Sequence, residues 1–397
     1  MNLYREAFTH IRAYPKAFWV LIGATLINQI GNMAMVFLLI YLVNGLKFSL
    51  AQASFIFALF GISTILSNLF CGSLINWFGA MKLLPRLLGL NGLILLIFPL
   101  CKTALLISLA TFFWGSFFGL FRPVSQTLVS ELSPQKQHKL TFSLFRLVVN
   151  LGMSIGPAIG GYLAYHSFAA IFIANGIANL LASFWMLIGF SKTSFQPKPI
   201  TKEPFGLDIK WLRHDARLTW FLVGLLPVSM IFFQHESTLA IFLDQDLHFP
   251  LSFYGWLFTL NTLLIVFFEL ALNIATSHWP YRTNFLVGVF CITCGFVGLL
   301  WASMKWHVVL LAIFWTLGEM IFYPAATSYI AEIASPDRRG SYLSLFSVSS
   351  NLAMLFGPWG GALIMHAFGV NAVWIACAGL GVISLIIFYR HVKPHQP

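Results

Sequence analysis

Charge is scarce in this sequence. Only 9% of its 397 residues are Asp, Glu, Lys or Arg, against roughly a quarter in a soluble globular domain. Acids are the rarest, 12 against 23 basic residues. The sequence contains no Walker loop, no histidine pair at metal-ligand spacing and no nucleophile elbow between a strand and a helix. There is also no sizeable polar domain. Together these absences exclude an ATPase, a hydrolase or a metalloenzyme, so the chain is not expected to be an enzyme. Neither a cofactor nor a bound metal is expected. The five cysteines lie in or beside apolar runs and give no disulfide framework. Cys291 and Cys294 form a CxxC without nearby ligand residues, and are expected to pack.

What fills the sequence is apolar length. Hydrophobic residues make up 59% of it, and long apolar runs recur from near residue 17 to near residue 389. At about 20 residues per crossing, they divide into twelve spans, at 17–44, 51–76, 83–101, 103–131, 141–165, 169–190, 217–243, 250–276, 283–304, 307–332, 341–366 and 372–389. Backbone polar groups in lipid must be satisfied within the segment, and runs this long are helices rather than barrel strands. The expected fold class is an all-α polytopic membrane protein.

The net charge of +11 is a topology signal rather than a nucleic-acid footprint, and no nucleic-acid partner is expected. Of the 23 Lys and Arg, 18 fall at the ends and loops of one side, while the other side holds only Lys47, Lys102 and Lys305. The positive-inside rule then puts both termini in the cytoplasm. The N-terminal "MNLYREAFTHIRAYPK" is amphipathic and lacks a small-residue cleavage site, so no signal peptide is expected. The lipid bilayer is the first partner, and the inner membrane of a bacterium the expected location.

The longest polar insertion, residues 191–216, reads as a cytoplasmic linker rich in Lys and Pro. It separates a first six-helix unit, 1–190, from a second, 217–397. The halves repeat each other. Pro123 matches Pro324, Glu131 matches Glu332, Asn150 matches Asn351, and Gly156-Pro157 matches Gly357-Pro358, each at an offset of 201 residues. Six helices repeated in parallel about an axis along the membrane normal are a transporter design.

Three stretches carry a resemblance: "NLGMSIGPAIGG" in span 5, "CGSLINWFGAMK" between spans 2 and 3, and "GEMIFYPAATSYIAEIASPDRRGSY" across span 10 and the loop after it. With them the chain resembles the major facilitator superfamily over essentially its full length, and within it the twelve-span proton-coupled drug-efflux antiporters. The resemblance implies two pseudo-symmetric six-helix bundles acting by alternating access, as a monomer. It also implies an antiporter motif at Asn150, Gly152, Gly156, Pro157, Gly160 and Gly161. Gly152, Gly156 and Gly160 fall on one helix face and suit close helix approach. Helix packing alone and a bias toward export both fit that face, because span 11 repeats much of it. The loop between spans 2 and 3 matches the family's latch at Gly72, Leu74, Gly79 and Lys82. Asn76 and Trp77 stand where the family has an acid and a base, so the usual charge pair is missing. Trp114 stands where the family usually has an arginine in span 4, with Arg122 one possible substitute.

Ionisable residues inside the spans are the sharpest functional signal, because each costs roughly 3 kcal/mol at mid-bilayer unless paired, hydrated or neutralised. Glu319 and Glu236 lie near the middle of spans 10 and 7, and are candidate proton or cationic-substrate sites. His235 is a possible relay, more simply a packed ring, and Glu269 suits either a structural pair or coupling. Arg146 either snorkels to the cytoplasmic surface as an anchor or lines the cavity. Arg122 lies deeper, suited to an anionic substrate or to a glutamate across the cavity. Asn28, Gln29 and Asn32 in span 1 are candidate polar cavity groups. The expected activity is export of small amphipathic compounds or metabolites in exchange for protons, with the proton gradient as energy source. The alternatives are a proton-coupled importer of a nutrient or siderophore, and a transporter-like sensor.

Overall fold

The computed structural model of the chain describes residues 14–133, 138–193, 215–249, 251–335 and 338–393, and among these it is helical without strands. Span 1 is α1 (Lys16–Gly31) with α2 (Ala34–Ile40). Then come α3 (Leu50–Phe78), α4 (Ala80–Ile97), α5 (Ala104–Leu132), α6 (His138–His166) and α7 (Phe168–Ser191), which are spans 2 to 6. The second half runs through α8 (Ala216–Phe232) with the short α9 (Thr238–Ile241), which form span 7. It continues with α10 (Leu251–Ala275), α11 (Tyr281–Val297), α12 (Lys305–Ile333), α13 (Arg339–Phe368) and α14 (Val370–His391). Among the described residues, ten helices are long and apolar enough to cross a membrane. The exceptions among the twelve spans are span 1, which is broken, and α13, whose first half carries five serines. Most of the linker, 194–214, lies outside the described residues, as does the N-terminal stretch 1–13.

Local chemistry sets the helix ends. Ser49 and Gln52 form a reciprocal capping box at the start of α3. Thr103 accepts from the Leu106 amide at the start of α5, and Asp215 accepts from the amides of Arg217 and Leu218 before α8. Between α3 and α4 the backbone passes through Gly79 at φ 72°, a conformation that favours glycine. This gives the latch-like loop its fixed glycine.

The repeat seen in the sequence is present in detail. Span 1 breaks between Gly31 and Ala34, and span 7 breaks over Phe233–Glu236, at matching repeat positions. A single π-helical turn follows in each half, at Tyr41–Gly45 and Phe242–Asp246, again 201 residues apart. The glycine faces also correspond. A Cβ added to Gly156 would meet the Ile30 carbonyl at 2.9 Å, and one on Gly357 the Met230 carbonyl at 3.0 Å. Gly160 lies against Met33, and Gly361 against Gln234, so α6 packs on span 1 as α13 packs on span 7. Gly161 faces open space and takes no part in this contact. Trp114 and Trp315 are both buried in apolar cores, Trp114 edge-on to Phe60 and Phe98.

The two halves meet along two seams at the end where α1 begins and α14 stops. In one, α3 packs on α13: Gly72 lies against Ser341, Gly340 against Ile75, and the Ser344 hydroxyl donates to the Asn68 carbonyl. In the other, α6 packs on α10 and α12. That second seam holds the charges.

Candidate functional site

Each helix of the charged seam presents a polar stripe spaced by three or four residues or, once on α10, by eight, spacings that align side chains on one helix face. On α6 the stripe is Lys139, Ser143, Arg146 and Asn150; on α10 it is Asn261, Glu269, Asn273 and Thr276; on α12 it is Thr316, Glu319 and Tyr323.

Arg146 is the centre. Its Nε lies 3.2 Å from Glu269 Oε2, its terminal nitrogen pairs with Glu319 Oε1, and it also donates to the Glu319 backbone carbonyl at 3.4 Å. Its guanidinium carbon stands 5.3 Å from the centre of the Tyr323 ring, within cation–π range. The side chain of Glu269 is fully buried, that of Glu319 is 8% exposed and that of Arg146 17%. Arg146 therefore does not snorkel to the surface. It turns inward, because two carboxylates of the other half offer more than the distant interface.

A neutral shell fixes the acids. Glu319 Oε2 accepts from Asn261 at 2.8 Å, and Asn261 also donates to Thr316 at 3.0 Å. Ser143 donates to Glu269 Oε1 at 3.4 Å. Asn273 donates to Ser143 at 3.2 Å, to the Glu269 carbonyl at 2.9 Å and to the Met320 carbonyl at 3.1 Å. Glu269 Oε2 has the Arg146 charge beside it but no directed hydrogen bond among the described residues. Of the four carboxylate oxygens it is the least satisfied, and the one whose protonation disturbs fewest bonds. Asn150, one turn further along α6, has a buried amide nitrogen without a hydrogen-bond partner among the described residues.

Two turns toward the helix start, Lys139 crosses the same seam. Its ammonium donates to the Thr276 carbonyl (2.9 Å), the Thr276 hydroxyl (2.7 Å) and Asn284 Oδ1 (2.9 Å), and the residue is 6% exposed. A cation here caps the C-terminus of α10, where the helix dipole is negative.

The remaining sequence candidates are distributed elsewhere. His235 and Glu236 form the turn that breaks span 7. His235 Nε2 is 3.7 Å from Glu236, whose side chain is 41% exposed, and Nδ1 is 2.6 Å from the Phe232 carbonyl. The Tyr254 hydroxyl donates to the His235 carbonyl at 2.9 Å, but no hydrogen bond or ion pair among the described residues joins this pair to Arg146. Asn28 is not a cavity group. It donates to Asn179 at 2.9 Å, as does Asn91 at 3.2 Å, inside the first half. Gln29 is buried against Gly152, and Asn32 ends α1 at the break. Pro157 lies within α6. Asn76 is half-buried with no side-chain hydrogen bond among the described residues, and Lys82 is exposed. The seam beside that loop closes through the close contacts of Gly72 and Ile75, with Arg339 of α13 in electrostatic range of Glu131 of α5 nearby. Arg122 is exposed, with Tyr323 and Arg146 as charged or ionisable neighbours.

The sequence reading did not single out Lys139, Ser143, Asn261, Asn273 or Tyr323. Their signal was the polar stripe at three- and four-residue spacing, which alternating apolar neighbours conceal.

The comparisons agree with this architecture. YttB, an MFS-type transporter of Bacillus subtilis (strain 168), is 24% identical over 96% of this chain and 96% of its own length. The quinolone resistance protein NorA of Staphylococcus aureus (strain MSSA476) is 24% identical over 84% of this chain and 86% of its own. Among solved structures, a bacterial homologue of the iron transporter ferroportin, in an outward-facing state, superposes with a TM-score of 0.78 at 14% identity, covering 94% of this chain and 99% of that one. The family model for the Major Facilitator Superfamily matches residues 21–314 and 237–397. With two repeated six-helix halves meeting at paired seams, the chain belongs to the Major Facilitator Superfamily and is a membrane transporter rather than an enzyme.

Proposed function

We propose that the protein exports small amphipathic compounds or metabolites across the bacterial inner membrane in exchange for protons. The observation that carries the proton is Arg146 of one half held between Glu269 and Glu319 of the other. One guanidinium cannot neutralise two carboxylates, and a net charge in a low-dielectric seam is costly. A single proton brings the three groups to neutrality. That proton also weakens the hold on Arg146, and with it the seam.

In the conformation described, the seams at the end where α1 begins and α14 stops are closed. The basic-residue asymmetry assigns this end to the cytoplasm. Glu319 is the less buried acid, so it takes the proton from the opposite side, and Glu269 shares it. The halves then part at the cytoplasmic seams, the proton leaves inward and solute enters. Ionised acids recapture Arg146 and reclose the seam, which carries the solute outward. Glu236 and His235 lie apart from the pair and serve the approach. The glycine face of α6 and the drug-resistance names among the relatives, NorA and the multidrug resistance protein MdtH of Aeromonas salmonicida (strain A449), support export.

The test is accumulation of a panel of fluorescent amphipathic probes in inside-out vesicles with an acid lumen. The parent should concentrate a probe, and collapse of the pH gradient should abolish this. Glu319→Gln and Glu269→Gln should each lose accumulation while keeping downhill exchange, and Glu236→Gln should slow it only partly. Uphill accumulation at parental levels in both seam variants would overturn the assignment.

A further inference from the structure

Arg122 is a deep charge that the proton cycle does not use. It lies ten residues before the end of the 29-residue α5, so about 15 Å of helix separates it from the nearer membrane face. A side chain cannot snorkel that far. Its exposure at this depth therefore means that it faces water inside the protein.

The repeat shows where. Arg122 and Tyr323 hold the same position in the two halves, 201 residues apart, and each falls within the other's electrostatic range. Two positions exchanged by a two-fold axis stand close together only if both lie beside that axis. Arg122 and Tyr323 therefore flank the centre of the cleft between the halves. One turn earlier, the repeat mates are Phe118 on α5 and Glu319 on α12. The first half thus offers a cation beside an aromatic ring, where the second offers an aromatic ring beside an acid.

Both acids of this region are taken by Arg146. Among the described residues the Arg122 side chain makes neither an ion pair nor a hydrogen bond, although it is a neighbour of Arg146 itself. A guanidinium left unpaired at the middle of a membrane protein is costly to keep, and its planar fork matches a carboxylate. Phe118, one turn before Arg122 on α5 and packed on Phe60 at 5.2 Å, and Tyr323 are the aromatic residues nearest to it along the two repeats.

We propose that Arg122 anchors the anionic head of the transported solute, a small monocarboxylate with an apolar or aromatic body. The anchor rests on the reading of the chain as an exporter only for the direction of movement. That direction suits an anion, because leaving a cell with a negative interior is electrically downhill for a negative charge.

Three probes with one body separate the possibilities: 2-naphthoate, the neutral 2-naphthalenemethanol and the cationic 2-naphthylmethylamine, each titrated into the full chain in nanodiscs without any gradient. The carboxylate should bind the parent more tightly than either analogue. Arg122→Gln should weaken it by roughly tenfold to a hundredfold, the range for losing a charged hydrogen-bond partner, and leave the alcohol unchanged, which also shows that the variant is folded. Arg122→Lys should restore part of the preference. Equal binding of the three probes, no carboxylate binding at millimolar concentration, or an unchanged preference in Arg122→Gln would each overturn the proposal. Selective binding without uphill transport would leave the anchor standing and sink the proton-exchange reading. Uphill transport of other probes without carboxylate preference would do the reverse.

Discussion

A buried arginine is expensive, and Arg146 stays in the seam because two carboxylates and the Tyr323 ring surround it. Removing one partner of such a group costs far more than removing all of them, because the survivors remain buried and uncompensated. Arg146→Gln should therefore destabilise the protein by about 3–5 kcal/mol, as two adjacent carboxylates lose their cation. The triple change Arg146→Gln, Glu269→Gln and Glu319→Gln replaces charges by amides of similar shape. It should recover most of the thermal midpoint while remaining unable to accumulate probe against a pH gradient. Thermal unfolding followed by tryptophan fluorescence in nanodiscs reads this directly. A triple variant as unstable as the single one would mean that the three groups are not coupled.

At the scale of helices, the glycine faces separate packing from transport. Gly156 and Gly357 are equally tight, since an added Cβ would come within 2.9 and 3.0 Å of a carbonyl of the broken helix each faces. Gly156→Leu and Gly357→Leu should lower the thermal midpoint alike. If the α6 face also biases export, Gly156→Leu should lose proton-driven accumulation more severely, as measured in the same vesicles; equal losses would leave packing as its only role. The glycines were legible in the sequence because their spacing alone implies close approach, and so were the repeat and the helical class. Arg146 was found but its direction was not. A position one turn inside a span suits both snorkelling and inward pairing, and only the facing stripe on α10 decides between them. Asn28 misled for a related reason: a polar residue in a span suits a cavity as well as a bundle interior, and its partner Asn179 lies 151 residues away. Lys139 was counted with the cytoplasmic charges, because a basic residue at a helix start usually marks topology.

The whole molecule closes one end with two seams that are copies of each other. Ser344 meets Asn68 where Ser143 meets Glu269, and Gly340 meets Ile75 where Lys139 meets Thr276, each pair related by the 201-residue repeat. One copy brings neutral groups into close packing, with Arg339 of α13 in electrostatic range of Glu131 of α5 beside it, and the other is held by an ammonium and an arginine. A methionine at 139 keeps the volume of the lysine but strips three acceptors of their donor, including the carbonyl that ends α10. Each bond from a charged donor is worth about 1.5–3 kcal/mol, and only a fraction need be lost for the seam to open more often. In a variant lacking the native cysteines, a reporter placed by Ser143→Cys sits in that seam. Lys139→Met should raise its labelling by an impermeant thiol reagent, applied from the cytoplasmic side, by roughly tenfold. A second reporter at Thr259, on an exposed part of α10 nearer the opposite end, tells opening from unfolding. If Lys139 holds the seam, labelling at Thr259→Cys from outside should fall as labelling at Ser143→Cys rises, because one opening closes as the other opens. A rise at both positions would mean general loosening, and a fall at Ser143→Cys would mean that desolvation of the lysine outweighs its three bonds. Either result would remove Lys139 from the closing device and leave the Arg146 triad to hold the seam alone.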